Sequence, residues 1–400
     1  MNKDFKRILY PTLFLVGCIA IIISIHLFRW QNTWTVLQIH PLSPPFSDMR
    51  SVQGALDSIK LGLDPQITND GDPWNRPMNY PMIWVKIANI FDFDNEQHFI
   101  TFVESYIALY VAACVYLLIR YPSVWLLLGL FSGSSLFAAE SGNNDLIVFS
   151  LLFLAAIVPV AVSGSIILFA TTLKIYPIFA ILSIVRSKLI FSVTLLLGIA
   201  LMYFGMDEIL KIRQYGLFAS GVLSYGGASI AELSGIEELF DSVKIGMPIA
   251  PFLINLLLVI STIIVFLNKR IRALIVVDKH DDQTKRLFLT GASIYVLTFI
   301  FSSNWDYRLI FLLLCVPYLL QINNKVFRLI SLSLVLIASN QYLLLNAFDT
   351  IGFSLNIISK CLLFVIILGL GFFEIYRFIP GLFIRPVIDE TTSHSTKPAT

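Results

Sequence analysis

Charge is what this chain has least of. Asp, Glu, Lys and Arg make up 14% of its 400 residues against 57% hydrophobic, where soluble globular domains carry roughly 25% charged residues. With a mean hydropathy of +0.80, an ordinary soluble domain is excluded before any motif is read. The net charge is only +2, which argues against nucleic acid as a partner. The four cysteines, Cys18, Cys114, Cys315 and Cys361, each sit inside an apolar run. None has metal-ligand spacing, so neither a disulfide frame nor a zinc site is indicated, and small polarizable core residues is the plain reading. There is also no glycine-rich phosphate loop, no internal repeat, and no inverted pair of halves of the kind many transporters show.

What the chain does have is long apolar runs. The N-terminus, MNKDFKRILYPTLFLVGCIAIIISIHLFRW, joins a basic start to a spanning run with no cleavage signal after it. It reads as a retained first helix with Lys3, Lys6 and Arg7 in the cytoplasm. Further spans are expected near 99–119, 122–139, 145–162, 189–206, 247–267, 287–303, 307–321, 326–345 and 353–376. The run 165–185 contains Lys174 and Pro177. If it crossed, the basic stretch 268–286 would become external, against the positive-inside rule. A broken pair of half-helices that enters and leaves on the cytoplasmic face keeps the count consistent. The expected fold is therefore an all-α polytopic membrane protein of about ten to eleven spans. Residues 1–385 form one domain, with external loops at 29–98 and 207–246 and a disordered cytoplasmic tail at 386–400.

The loop 29–98 is unlike its surroundings, and at roughly 70 residues it far exceeds an ordinary connection. Within it, Val52, Ala55, Leu56, Ile59 and Leu63 recur at helical spacing, predicting an interfacial amphipathic helix over Asp48–Leu63. A second short helix is expected over Met82–Ile90, started by Tyr80-Pro81. Asp48 fits two roles: an N-cap for the first helix, or a general base taking a proton from an acceptor hydroxyl. Trp74, Arg76 and Tyr80 lie among prolines that make rigid turns. The two aromatics suit either sugar stacking or a headgroup-level belt.

Three further constellations stand out. Glu140-Ser-Gly-Asn-Asn144-Asp145 is a tight polar turn between spans; Gly142 and Asn143 suit the turn itself, while Glu140 and Asp145 are costly there unless solvated or paired. Lys174 with Tyr176-Pro177 places a cation deep in an apolar run, where its partner would be a phosphate or a carboxylate such as Asp145; snorkelling is the bland alternative. In Ser303-Asn304-Trp305-Asp306-Tyr307-Arg308, Arg308 offers a phosphate-binding fork, or pairs locally with Asp306.

The order of these motifs resembles the GT-C superfamily of multi-spanning glycosyltransferases, within it the family 87 mannosyltransferase-like proteins of bacteria and the related eukaryotic mannosyltransferase acting on glycosylphosphatidylinositol. The features that carry it are Asp48, Gly62-x-Asp64-Pro65, Asn79-Tyr80-Pro81-Met82, Gly142-Asn-Asn-Asp145, Lys174-Ile-Tyr-Pro177 and Tyr307-Arg308. They cover about residues 1–320. The family often reads Tyr-Pro-Pro where this chain has Tyr80-Pro81-Met82, and no second acidic residue follows two positions after Asp48. The resemblance implies inverting transfer of mannose or another hexose from a polyprenyl-phosphate donor to a hydroxyl on a glycan, glycolipid or other acceptor, outside a bacterial inner membrane, without cofactor or metal. It gives Asp48 the role of base. Lys174 and Arg308 would stabilise the leaving phosphate, and Trp74, Arg76, Tyr80, Glu140, Asn144, Asp145, Tyr176 and Tyr307 would line the substrate site. A transporter or flippase for a lipid-linked or anionic substrate is the rival reading, disfavoured because the polar residues cluster in outer loops.

Overall fold

The computed structural model describes residues 2–217, 219, 224–227, 230, 249–268, 271, 281–301 and 304–376. The described residues are 78% helical with almost no strand, as an all-α membrane protein requires. The tail 386–400, Ser303, most of the loop 207–246 and most of the basic stretch 268–286 lie outside the described residues.

Four described helices are long and apolar enough to cross a bilayer: Lys3–Phe28 (α1), Glu96–Arg120 (α5), Asp282–Phe301 and Gln341–Tyr376. Lys188–Phe204 (α10) and Met206–Tyr215 (α11), bent by 62° at Gly205, make a fifth if taken together. Other expected spans are shorter pieces. Val124–Leu130 (α6) and Gly133–Glu140 (α7) divide the expected span 122–139, and Asp145–Ile157 (α8) and Val160–Leu173 (α9) follow. Thirteen residues of α helix rise only about 20 Å, short of the ~30 Å hydrocarbon layer. Residues 307–321 are a 3₁₀ helix, Asp306–Leu314, running into Val316–Leu319. Residues 346–352, between the expected spans 326–345 and 353–376, are helical apart from a break at Asp349 (φ 48°).

The caps follow local sequence. Asn95 accepts from Gln97 N at 3.0 Å at the start of α5, where Glu96 opens and Arg120 closes the helix in favour of its dipole. Ser123 caps α6 at 3.2 Å through Trp125 N.

The run 165–185 begins and ends on one face. Just before its start, Ser163 Oγ accepts from Arg286, and just past its end Arg186 pairs with Asp282. Between these, α9 reaches Lys174, whose extended backbone breaks the helix, and a 3₁₀ helix, Tyr176–Ile184, runs back. Arg120 joins the same face through Asp281 at 2.9 Å. On the opposite face, α11 meets the first loop: Glu208 accepts from Met82 N at 2.9 Å and Lys211 pairs with Asp64 at 2.6 Å. Asn346 donates to Gln38 there at 2.5 Å. The first loop is thus held to α11 and to Asn346.

The first loop folds as a layer of its own. Its helices are Trp30–Val36 (α2), Ser47–Lys60 (α3) and Ile83–Ile90 (α4). Of the predicted apolar stripe, Val52, Ala55 and Leu56 are buried in protein, as is Met49 beside them, while Ile59 is 40% exposed. The helix therefore packs under residues 64–81 instead of lying open at an interface. Glycine meets glycine here: a Cβ on Gly54 would stand 2.3 Å from the Gly71 carbonyl carbon. Asn69 tightens the same contact, donating to Ser51 O at 2.8 Å.

Gly54→Ala is therefore expected to cost about 1–3 kcal/mol through backbone overlap. The matched change Gly371→Ala, with open space around the new methyl, should not lower the Tm. Thermal unfolding of the purified variants in detergent checks this; equal Tm values would show that the loop does not pack as described.

Candidate active site

The termini of four elements converge beneath the first loop. The start of α3 brings Asp48, the turn after α7 brings Asn143 and Asp145, the start of one 3₁₀ helix brings Tyr176, and the start of the other brings Tyr307 and Arg308. Glycine makes the turn possible. Gly142 sits at φ +58°, and a Cβ there would fall 2.8 Å from Phe46 Cβ. Its carbonyl accepts from Tyr106 Oη, and Asp48 N donates to Ser141 O at 2.9 Å, which fixes α3 against the turn. Phe46, the residue preceding α3, takes a left-handed conformation at φ 64°. That is rare for an aromatic residue, and it is held here by an edge contact of its ring with Trp30 at 5.0 Å.

Asp48 does not cap its helix; α3 has no side-chain cap hydrogen bond. Its carboxylate instead accepts from Asn143 Nδ2 at 2.5 Å, and its other oxygen lies 3.8 Å from Arg76 Nη1. It lines a cavity of about 300 Å³ together with Arg76, Tyr80, Trp305, Tyr307 and Tyr342. Arg76 is aimed by Asp72, through bonds of 2.8 and 3.0 Å, and rests 4.5 Å above the Trp74 ring. Trp74 thus supports the cation and is not among the cavity-lining residues.

Asp145 is the hub beneath this cavity. It is fully buried and pairs with Lys174, accepts from Tyr176 Oη at 2.6 Å, and lies 3.4 Å from Arg308 Nε. Arg308 also donates to Asn304, while Asp306 pairs with Lys360 at 2.7 Å. The local Asp306–Arg308 pair considered from sequence gives way to these partners. Lys174 does not snorkel. Its ammonium sits among three tyrosines, 5.3 Å from the Tyr80 ring, 5.8 Å from Tyr307 and 5.9 Å from Tyr176. Tyr80 and Tyr307 line the cavity while Lys174 and Arg308 do not, so the two deep cations stand one side-chain layer behind it. Two cations share one carboxylate, which leaves one local positive charge facing Asp48 through Asn143.

Two sequence-chosen residues fall elsewhere. Glu140 is fully buried and accepts from Trp30 Nε1 and Leu42 N, both at 3.2 Å; it anchors the segment that carries Leu42 to the cavity wall and is not among the lining residues itself. Asn144 is buried with both side-chain amide atoms lacking hydrogen-bond partners among the described residues. Its neighbour Asn143, read from sequence as a turn residue, makes the contact with Asp48. Lys360 was also missed. It is 3% exposed in the middle of an apolar helix, the same signal that picked out Lys174. No group of three metal-ligating side chains is found among the described residues.

Comparison of the chain with protein families, characterised proteins and solved structures gave no match. The site is therefore read on its own chemistry.

Asp145→Asn should cost about 3–5 kcal/mol, because it leaves buried cations without their carboxylate. Asp70→Asn, at an exposed position, should leave the Tm unchanged. Thermal melts of both variants test the assignment; an unshifted Tm for Asp145→Asn would contradict a hub role.

Proposed function

We propose that this protein is an inverting membrane glycosyltransferase of GT-C type, moving a hexose from a polyprenyl-phosphate donor to an acceptor hydroxyl. The observation that carries the reading is the Asp48 carboxylate, 21% exposed in a cavity and backed by a cluster with more cation than carboxylate. A transferase of this kind needs a base open to the acceptor and fixed positive charge near the leaving phosphate.

In the proposed reaction the acceptor hydroxyl gives its proton to Asp48. Its oxygen forms a bond to the anomeric carbon from the face opposite the phosphate. The bond from that carbon to the phosphate oxygen breaks, and the electron pair stays on the phosphate. Arg76 offers donors to that charge directly, while Lys174 and Arg308 act on it from behind the Tyr80 and Tyr307 layer. In a dry site such fixed charges are strong and need no reorganisation. The aromatic walls suit the apolar face of a sugar ring.

The same reading sets the topology: ten to eleven membrane segments, the N-terminus in the cytoplasm, the cavity on the outer face of a bacterial inner membrane, and 165–185 re-entrant from within. The transporter alternative draws little support. Residues 146–157 of α8, running from Asp145 towards the opposite face, carry no ionisable side chain, so they offer no polar path.

Burial pushes the Asp48 carboxyl up, and Asn143, Arg76 and Lys174 pull it partly back, leaving it above an ordinary aspartate. The base works deprotonated, so transfer is lost as pH falls through that raised value. The acid limb of kcat/KM should lie at higher pH than an ordinary aspartate would give. Asp48→Asn should lower kcat by roughly 10²–10⁴-fold without lowering the Tm. The assay is transfer from polyprenyl-phosphate-mannose to an alkyl mannoside in proteoliposomes. Full activity in Asp48→Asn would remove Asp48 from the chemistry.

A further inference from the structure

The amide of Asn143 can point only one way. Its Oδ1 lies 2.8 Å from the backbone N of Asp145 and 3.3 Å from Lys174 Nζ. A peptide N–H and an ammonium are donors with no acceptor capacity, so the oxygen must face them. The NH₂ group is then left facing Asp48 Oδ2 at 2.5 Å. Ordinary amides are assigned by optimising a network; here two obligate donors decide. The backbone is equally fixed, with Asn143 N donating to Ala138 O at 2.9 Å and Leu146 N donating to Asn143 O at 3.1 Å.

We infer that Asn143 is a positioning residue that sets both the direction and the charge state of the Asp48 carboxylate and links it to the Lys174–Asp145 pair. The proposal rests on the reading of Asp48 as the base, and Asn143 acts through Asp48 without touching substrate. Because Oδ1 receives an ammonium proton, the amide is polarised and its N–H is a stronger donor towards Asp48. That donor favours the carboxylate over the acid and occupies one oxygen, leaving the other on the cavity side near Arg76. Around Asp48 the other charged or titratable groups are Arg76 from the first loop, Lys174 after α9, Tyr80, Tyr106 on α5, Tyr307 and Glu140. His40 also lines the cavity. Of these only Arg76 and Lys174 favour the anion by charge, so a neutral donor in contact with the carboxylate has a distinct part to play.

The test reads Asp48 directly, apart from any activity. Full-length protein in nanodiscs is treated with dicyclohexylcarbodiimide, which modifies protonated carboxyl groups, across a pH series. Labelling of the Asp48 peptide is quantified by mass spectrometry, with Asp48→Asn as the blank. Asn143→Ala should move the labelling midpoint to higher pH, since a donor that favours the anion is gone. Asn143→Asp should move it further, because two carboxylates at this distance share a proton. Should Asn143→Asp fail to fold, Asn143→Ala and Asn143→Ser carry the test. A midpoint that stays in place while the Tm falls would make Asn143 a turn residue only and overturn the proposal. An Asp48 peptide that never labels would overturn it as well. The acid limb of transfer, measured in the same variants, should follow the labelling midpoint. If the native protein transfers no hexose while the midpoint still shifts, the transferase reading fails and the role of Asn143 stands.

Discussion

One buried carboxylate holds this site together. Asp145 has no contact with solvent, yet Lys174 and Tyr176 reach it from one break in helical structure and Arg308 reaches it from another. Burying charge is costly unless every group is paired, and it becomes tolerable only when the geometry is held from several sides. The breaks are the means of holding it. Lys174 is extended between α9 and a 3₁₀ helix, and Arg308 sits at the start of a second 3₁₀ helix. Irregular backbone at membrane depth survives where protein surrounds it, and here the side chains it carries pair with one another.

The arrangement also separates two duties. Asp145 and its cations form a closed layer, while Asp48 and Arg76 stand in the cavity with 21% and 19% of their side chains exposed. Tyr80 and Tyr307 lie between the layers, each facing the cavity and also the Lys174 ammonium. Asn143 is the only side chain that hydrogen-bonds to both Asp48 and Lys174 among the described residues. A layered site of this kind keeps the deep cations dry while leaving the proton acceptor open to a hydroxyl.

Much of this was legible in the sequence where a residue broke the local pattern. Lysine in an apolar run, carboxylates at span ends and a polar loop after the first span each signal a cost that needs a partner. These signals led to Asp48, Asp145, Lys174 and Arg308, which the structure brings together. What was not legible depends on contacts between distant segments. Asn143 and Asn144 are equivalent as turn residues, and only the packing of α3 against the turn makes the first of them a ligand of Asp48. Glu140 looked like a site carboxylate, but its partners Trp30 and Leu42 lie about a hundred positions away in the chain. The Gly54–Gly71 contact leaves no periodic trace. Lys360 was legible by the rule that found Lys174, and its partner Asp306 stood in the sequence only as one possible local partner of Arg308. Span lengths were blurred for the same reason: hydropathy does not register where a helix tightens to 3₁₀ geometry or stops at a buried charge.

The most direct test of the central claim is donor binding by the purified protein in nanodiscs, read as thermal stabilisation by polyprenyl-phosphate-mannose and, separately, by a nucleotide sugar. The account predicts a raised Tm with the lipid-linked sugar and none with the nucleotide sugar. Stabilisation by the nucleotide sugar alone, or by neither, would contradict it.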